Sequence, residues 1–140
     1  MMRCCAVIDT NVIVSALLRR GSIPDQVLQK TLDGQIVPLI SEDILNEYVE
    51  VLSREKFHFE KETIEALLAD LKDKGIIQDR VTTEEFFADP SDIVFYEVTL
   101  GARKAKSAYL ITGNRKHFPP VDFVVTPRQM LEIIDRGEGA

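Results

Sequence analysis

Three acidic residues stand where a carboxylate could do more than keep a surface wet. Asp9 directly follows a short apolar run, 3–8, and is itself followed by Thr10 and Asn11. Glu47 lies midway along a stretch in which Ile44, Leu45, Tyr48, Val49, Val51 and Leu52 recur with helical spacing, so it borders an apolar stripe. Asp92 closes the segment Asp89-Pro90-Ser91-Asp92. Each acid also has a plainer reading. Asp9 could cap a following helix, and Glu47 could be a solvated helix-surface glutamate. Asp89 and Asp92 flank a proline that suits a first helical position, which resembles a capping box and favours negative charge. We assign the cap to Asp89 and leave Asp92 for chemistry.

Together the three would suit Mg²⁺ or Mn²⁺. Mg²⁺ takes oxygen ligands and keeps several waters, so two or three carboxylates suffice. Such an ion lowers the pKa of a bound water and offsets charge on a phosphate under in-line attack. Without a cation, carboxylates brought this close repel one another. Thr112-Gly113-Asn114 ends another apolar run; it is either a plain turn or a place where Thr112 and Asn114 hold a water or a phosphate. Competing chemistries find little support. Cys4 and Cys5 lie inside a strand, His58 reads as a surface residue, and His117 is a lone histidine five residues past Thr112. The seven glycines are scattered and form no phosphate-binding loop.

The elements that must position these residues follow from periodicity. Short apolar runs at 3–8, 36–40, 108–112 and 123–125 read as buried strands, with 76–77 as a minor one. Helices are expected over 12–18, 24–33, from the Ser41 cap to about residue 54, over 61–74, from Asp89-Pro90 to about residue 102, and from Thr126-Pro127 onward. Short strands alternating with amphipathic helices imply a parallel sheet covered on both faces. In such sheets ligands bind beyond the C-terminal strand ends, where the strand order switches. Asp9 and Thr112 both fall at that edge.

At 140 residues, 45% hydrophobic and 29% charged, the chain is expected to form one domain, 1–140, around one core. Adjacent strand cysteines point to opposite faces, so no ordinary disulfide is expected and a reducing, cytoplasmic setting fits. No run approaches the ~20 apolar residues of a membrane span, and the start of the chain does not read as a secretion signal. The net charge of −6 gives no overall basic footprint, so any nucleic-acid role must rest on local features.

The pieces resemble a known family. Val7-Ile-Asp-Thr-Asn-Val12 is similar to the opening motif of PIN domains, and Ser41 to Leu52, with Glu47 inside it, to their second acidic segment. Asp89-Pro-Ser-Asp-Ile-Val-Phe-Tyr-Glu97 resembles the third, and Ala108-Tyr-Leu-Ile-Thr-Gly-Asn-Arg-Lys-His-Phe118 the fourth. The resemblance spans almost the whole chain. It implies a three-layer α/β/α fold with a mainly parallel central sheet and a Mg²⁺- or Mn²⁺-dependent ribonuclease. Small stand-alone members are mostly toxins of toxin–antitoxin pairs, neutralised by an antitoxin and often homodimeric. It also implies Asp9, Glu47 and Asp92 as metal-site acids, with Thr10, Asn11 and Thr112 as supporting polar residues.

The fourth motif departs from the family. Many members carry aspartate where this chain has Asn114, and some have an acid where it has His117. The site is one negative charge poorer, which favours one metal over two. Substrate contact falls to local cations: Arg115 and Lys116 beside the site, Arg103-Lys104-Ala105-Lys106 before the fourth strand, and Arg19-Arg20 after the first helix. Two rival readings remain at this level. One is a non-catalytic PIN domain that binds RNA or a protein. The other is a flavodoxin-like small-molecule binder or phosphatase, against which the lack of a glycine-rich loop counts.

Overall fold

The computed structural model describes residues 4–137, so the expected strand start at Arg3 lies outside the described residues. Among the described residues there are five strands: β1 (Cys4–Ile8), β2 (Ile36–Ile40), β3 (Ile76–Ile77), β4 (Ala108–Ile111) and β5 (Val124–Val125). All pairings are parallel, in the order β3-β2-β1-β4-β5. β1 is central, with Val7 facing Leu110 in register and Ile8 facing Ile111. The helices are α1 (Thr10–Leu18), α2 (Ile23–Leu32), α3 (Glu42–Leu52), α4 (Lys61–Lys74), α5 (Ile93–Arg103) and α6 (Pro127–Asp135). The result is the expected three-layer α/β/α arrangement, with α2 packed on α1 and α6, and α5 laid across β1, β2 and β4.

The strands carry almost nothing polar because both faces are covered. Ala6, Val7, Ile36, Leu39, Leu110 and Ile111 are fully buried. Helix ends follow local chemistry. Ser22 and Ser41 accept the amides of Asp25 and Ile44, while Thr126 and Gln129 form a reciprocal capping box behind Pro127. One expectation needs correction. The helix expected from Asp89 to residue 102 is a 3₁₀ turn, Pro90–Asp92, followed by α5 from Ile93. A tight first turn is common where a capped proline starts a helix. Here it leaves Asp89 exposed and Asp92 buried.

Between β3 and α5 the chain runs over residues 78–89 without regular structure and is tied down along α5. Glu97 is buried; it accepts from Arg80 Nε at 2.7 Å and from the Thr83 amide at 2.7 Å, and its carbonyl accepts from the Val81 amide. Arg80 also pairs with Asp43 at 3.2 Å, linking this strap to α3. Gly101 lies under the strap, and a Cβ there would run into the Asp79 carbonyl. Gly101→Ala should therefore destabilise the chain by about 1–3 kcal/mol, read by urea unfolding, with faster hydrogen exchange confined to residues 78–89. Unchanged exchange in that segment would remove this role from Gly101.

Candidate metal centre

Asp9 follows β1 at the C-terminal edge of the sheet, where β2 and β4 diverge to either side of the first strand. It occupies the N-cap position of α1 but makes no side-chain cap hydrogen bond. Instead its Oδ2 accepts from Thr112 Oγ1 at 2.8 Å, and its amide donates to the Ile111 carbonyl at 2.9 Å. Thr112 is fully buried and its hydroxyl also accepts the Asn114 amide at 3.1 Å. The ends of β1 and β4 are thereby locked together beneath the Asp9 carboxylate.

Glu47 reaches the same place from α3. Its neighbour Tyr48 is fully buried and donates to the Ile8 carbonyl at 2.6 Å, fixing α3 against the residue before Asp9. Phe95 of α5 stacks on Tyr48 with centroids 6.4 Å apart, which brings the third segment in as well. Tyr48→Phe should lose about 1–3 kcal/mol by leaving the Ile8 carbonyl without its phenol partner, measured by chemical denaturation. Native stability in that variant would show that apolar packing alone seats α3.

These placements produce one cleft of about 140 Å³, lined by Asp9, Glu47, Asp89 and Asp92 and by Thr10, Asn11 and His117. Four carboxylates therefore meet, one more than the sequence reading assigned to the site. Asp89 does cap the 3₁₀ turn, its Oδ1 accepting the Ser91 amide at 2.9 Å and the Ser91 hydroxyl at 2.8 Å, yet it borders the cleft too. These hydrogen bonds with Ser91 hold Asp89 below the usual carboxylate range. Arg54 completes the rim and pairs with Glu50 at 2.8 Å. Arg54 carried no sequence signal for this position, since it reads as the polar end of a helix, while Asp89, inside the third motif, reads there as the cap.

Crowding shows in the acidities. Burial pushes Asp92 up to about 6, helped by the charges of Asp9, Asp89 and Glu47 and opposed by His117. Asp9 is raised by burial, against the pull of the Thr112 hydroxyl and nearby amides. Glu47 is raised by partial burial and then by Glu50. Such a set is uncomfortable without a cation. One further polar group has no partner: Thr10 lines the cleft wall, and its Oγ1 is buried without a hydrogen bond.

Among the described residues, no three His, Cys, Asp or Glu side chains converge tightly enough to cage an ion. An open arrangement still fits Mg²⁺ or Mn²⁺, which bind through one or two carboxylates and retain waters. Asp9 and Asp92 are the buried oxygen donors, Glu47 stands on the cleft wall from α3, and Thr10 offers an unused hydroxyl.

Asn114 and His117 form a unit on the rim. The Lys116 amide donates to Asn114 Oδ1 at 3.3 Å, which turns Asn114 Nδ2 toward His117 Nε2 at 3.0 Å. An amide NH₂ needs a lone pair, which a ring carrying its proton on Nδ1 offers at Nε2. Nδ1 faces Asp92 Oδ2 at 3.7 Å. On this rim the chain presents an amide and an imidazole toward Asp92. The cations separate. Lys116 borders an adjoining cavity and Arg115 a further one, neither lining the acidic cleft. Arg103 lies at the opposite edge, donating to the Ala108 carbonyl at 2.7 Å and lying 4.4 Å above the Phe123 ring. Arg20 pairs with Asp25 at 3.5 Å beyond the far end of α1.

A parallel α/β sheet with convergent carboxylates beyond the C-terminal end of its central strand is an arrangement suited to a divalent cation. The sequence profile of the PIN domain matches residues 5–116, and the chain belongs to the PIN-domain family. PIN domains are generally nucleases and typically use divalent metals. No curated protein gives a significant match.

Proposed function

We propose that this chain is a divalent-metal-dependent endoribonuclease, the toxin component of a toxin–antitoxin pair, acting on RNA phosphodiester bonds. The observation that carries the reading is the meeting of Asp9, Glu47 and Asp92 in one cleft at the switch point of the sheet, with Asp92 pushed up to about 6. Asp9 and Asp92 would hold Mg²⁺ or Mn²⁺, with Glu47 and Asp89 adding negative charge around it. When bound, the ion supplies Lewis acidity that acidifies an attacking water and offsets charge on the phosphate.

The chain's own residues do the rest. Thr112 keeps the Asp9 carboxylate in one orientation, and Asp9 and Asp92 would orient the attacking water. His117 faces Asp92 through Nδ1 at 3.7 Å without adding a carboxylate to the cleft. Asn114 in place of an acid suits one metal rather than two. A neutralising antitoxin, homodimeric assembly and a cytoplasmic setting accompany the toxin assignment. No helix among the described residues is long and apolar enough to cross a membrane.

The test is cleavage of a structured RNA pool by highly purified protein in Mn²⁺ and in chelator, with Mn²⁺ titration calorimetry alongside. Saturable Mn²⁺ binding and cleavage that stops in chelator support the reading. A catalytically weak PIN domain that binds RNA or a protein is the competing reading, motivated by Asn114. It predicts no saturable Mn²⁺ binding and no cleavage.

A further inference from the structure

We propose that the cavity adjoining the acidic cleft is a nucleobase-stacking subsite, in which Phe86 holds a base of single-stranded RNA beside the scissile phosphate. This deepens the nuclease reading above and rests on it for the identity of the ligand. The cavity measures about 520 Å³, within the range of small-ligand pockets, and shares Asp89, Asp92 and His117 with the acid cluster. A chain whose phosphate sits at the carboxylates has its neighbouring nucleotide here.

Phe86 is 89% exposed at the mouth of this cavity. Its neighbour Phe87 is buried, 5.5 Å from Tyr96 and 5.9 Å from Phe118 between ring centroids. The strap carrying both rings is tied to Glu97 through Arg80 and Thr83. Phe86 is thus held at its base with its ring face left uncovered, which is the form of a stacking platform. An exposed ring needs no purpose by itself. Its place beside the carboxylates is what gives it one.

The cations that would meet a nucleic acid lie on the far side of this cavity from the acids, where Arg115 and Lys116 line the next one with no carboxylate beside them. Glu85, Asp89 and Asp92 line this cavity with Lys116, and the next, of about 400 Å³, is walled by Arg115 and again by Lys116, Phe118, Pro119 and Pro120. Beyond the acids the two cavities together present Phe86, Phe118, Pro119 and Pro120 beside Lys116 and Arg115. That suits bases that stack and phosphates that need pairing. Such contacts also supply the local attraction that a chain of net charge −6 lacks overall. A base can reach Phe86 only when it is out of a helical stack, so single strands and loops should be preferred over duplex.

The experiment is binding of a short fluorescent single-stranded RNA, and of a duplex of equal length, measured in chelator so that nothing is cleaved. Native, Phe86→Ala and Phe86→Trp chains are compared, with the RNA intact or carrying a single abasic site at each position in turn. Phe86→Ala should weaken single-strand binding about 5- to 100-fold and leave duplex binding unchanged. Phe86→Trp should restore it, and one abasic position should abolish the difference between native and Phe86→Ala. Equal binding by native and Phe86→Ala chains overturns the proposal and leaves Phe86 to a protein contact. So does absence of single-strand binding, or an equal loss on duplex. If the native chain shows Phe86-dependent binding but no cleavage in Mn²⁺, the nuclease reading fails while the subsite stands. Cleavage with binding indifferent to Phe86 sinks the subsite alone.

Discussion

Asp9→Asn should cleave RNA in Mn²⁺ about 10³-fold more slowly than the native chain, in single-turnover measurements, while keeping its fold. The size follows from what the ion contributes. Metal stabilisation of transition-state charge is worth several kcal/mol, and each ~1.4 kcal/mol is tenfold in rate. Asp9 is buried and pinned by Thr112, so no neighbour can swing in to replace its charge. An asparagine of nearly the same shape can still accept the Thr112 hydroxyl, which is why the fold should survive. Asp92→Asn should lose activity to a similar extent. Glu47→Gln should lose less, because Glu47 is only half-buried. Native rates in Asp9→Asn, or cleavage that persists in chelator, would remove the metal centre from the proposal.

The second large effect has the opposite sign on stability. In chelator at neutral pH, Asp92→Asn should be more stable than the native chain by about 1–3 kcal/mol, several degrees in Tm. A carboxyl with an ordinary value of 3.8 is pushed up to about 6 in the folded chain. The folded state therefore holds a proton that the unfolded chain has already released. Stability attached to Asp92 is fully present below about pH 4, falls as pH rises toward about 6, and stays low above that. The gap between variant and native chain should accordingly be small at pH 4 and widest at pH 7. Mn²⁺ reverses the comparison, because the ion binds the folded native carboxylates and not the asparagine. Denaturation scans across pH, with and without Mn²⁺, read all of this. A gap that is constant with pH would mean that crowding of charge at the site is not its cause.

These two expectations share one physical origin. Groups gathered for chemistry are arranged against the interest of the empty fold, and the chain tolerates them because the surrounding packing is secure. Tyr48, Phe95 and Thr112 supply that security from three different elements. Of the three, Phe95 lines the cleft itself, while Tyr48 and Thr112 act from beneath it.

Much of the fold was legible in the residues themselves. The runs at 36–40 and 61–74 match β2 and α4 to the residue, because apolar periodicity bounded by Ser41, Gly34 and Gly75 leaves little choice. Alternation of short buried strands with amphipathic helices was enough for a covered parallel sheet. Asp9 at the end of β1 and Thr112 after β4 followed from the same reasoning, since strand ends are where such sheets open. The order β3-β2-β1-β4-β5 confirms that the two ends are neighbours.

Tertiary structure decided what local patterns leave open. Asp9 and Asp89 both stand at N-cap positions, yet only Asp89 caps with its side chain, because Thr112 captures Asp9 from 103 residues away. Local spacing cannot anticipate a partner so distant in sequence. The same limit hid Asp89 as a fourth carboxylate of the cleft, the Asn114–His117 pair facing Asp92, and the exposed ring of Phe86 beside its buried neighbour. It also scattered the basic residues, leaving Lys116 near the site and sending Arg103 to the other edge of the sheet. The amino-acid order by itself determined which elements form and which strand ends carry acids, because hydrophobic periodicity and turn chemistry are local. Which side chains meet, at what distance and in how much water, was decided only by packing, because those contacts join segments far apart in the sequence.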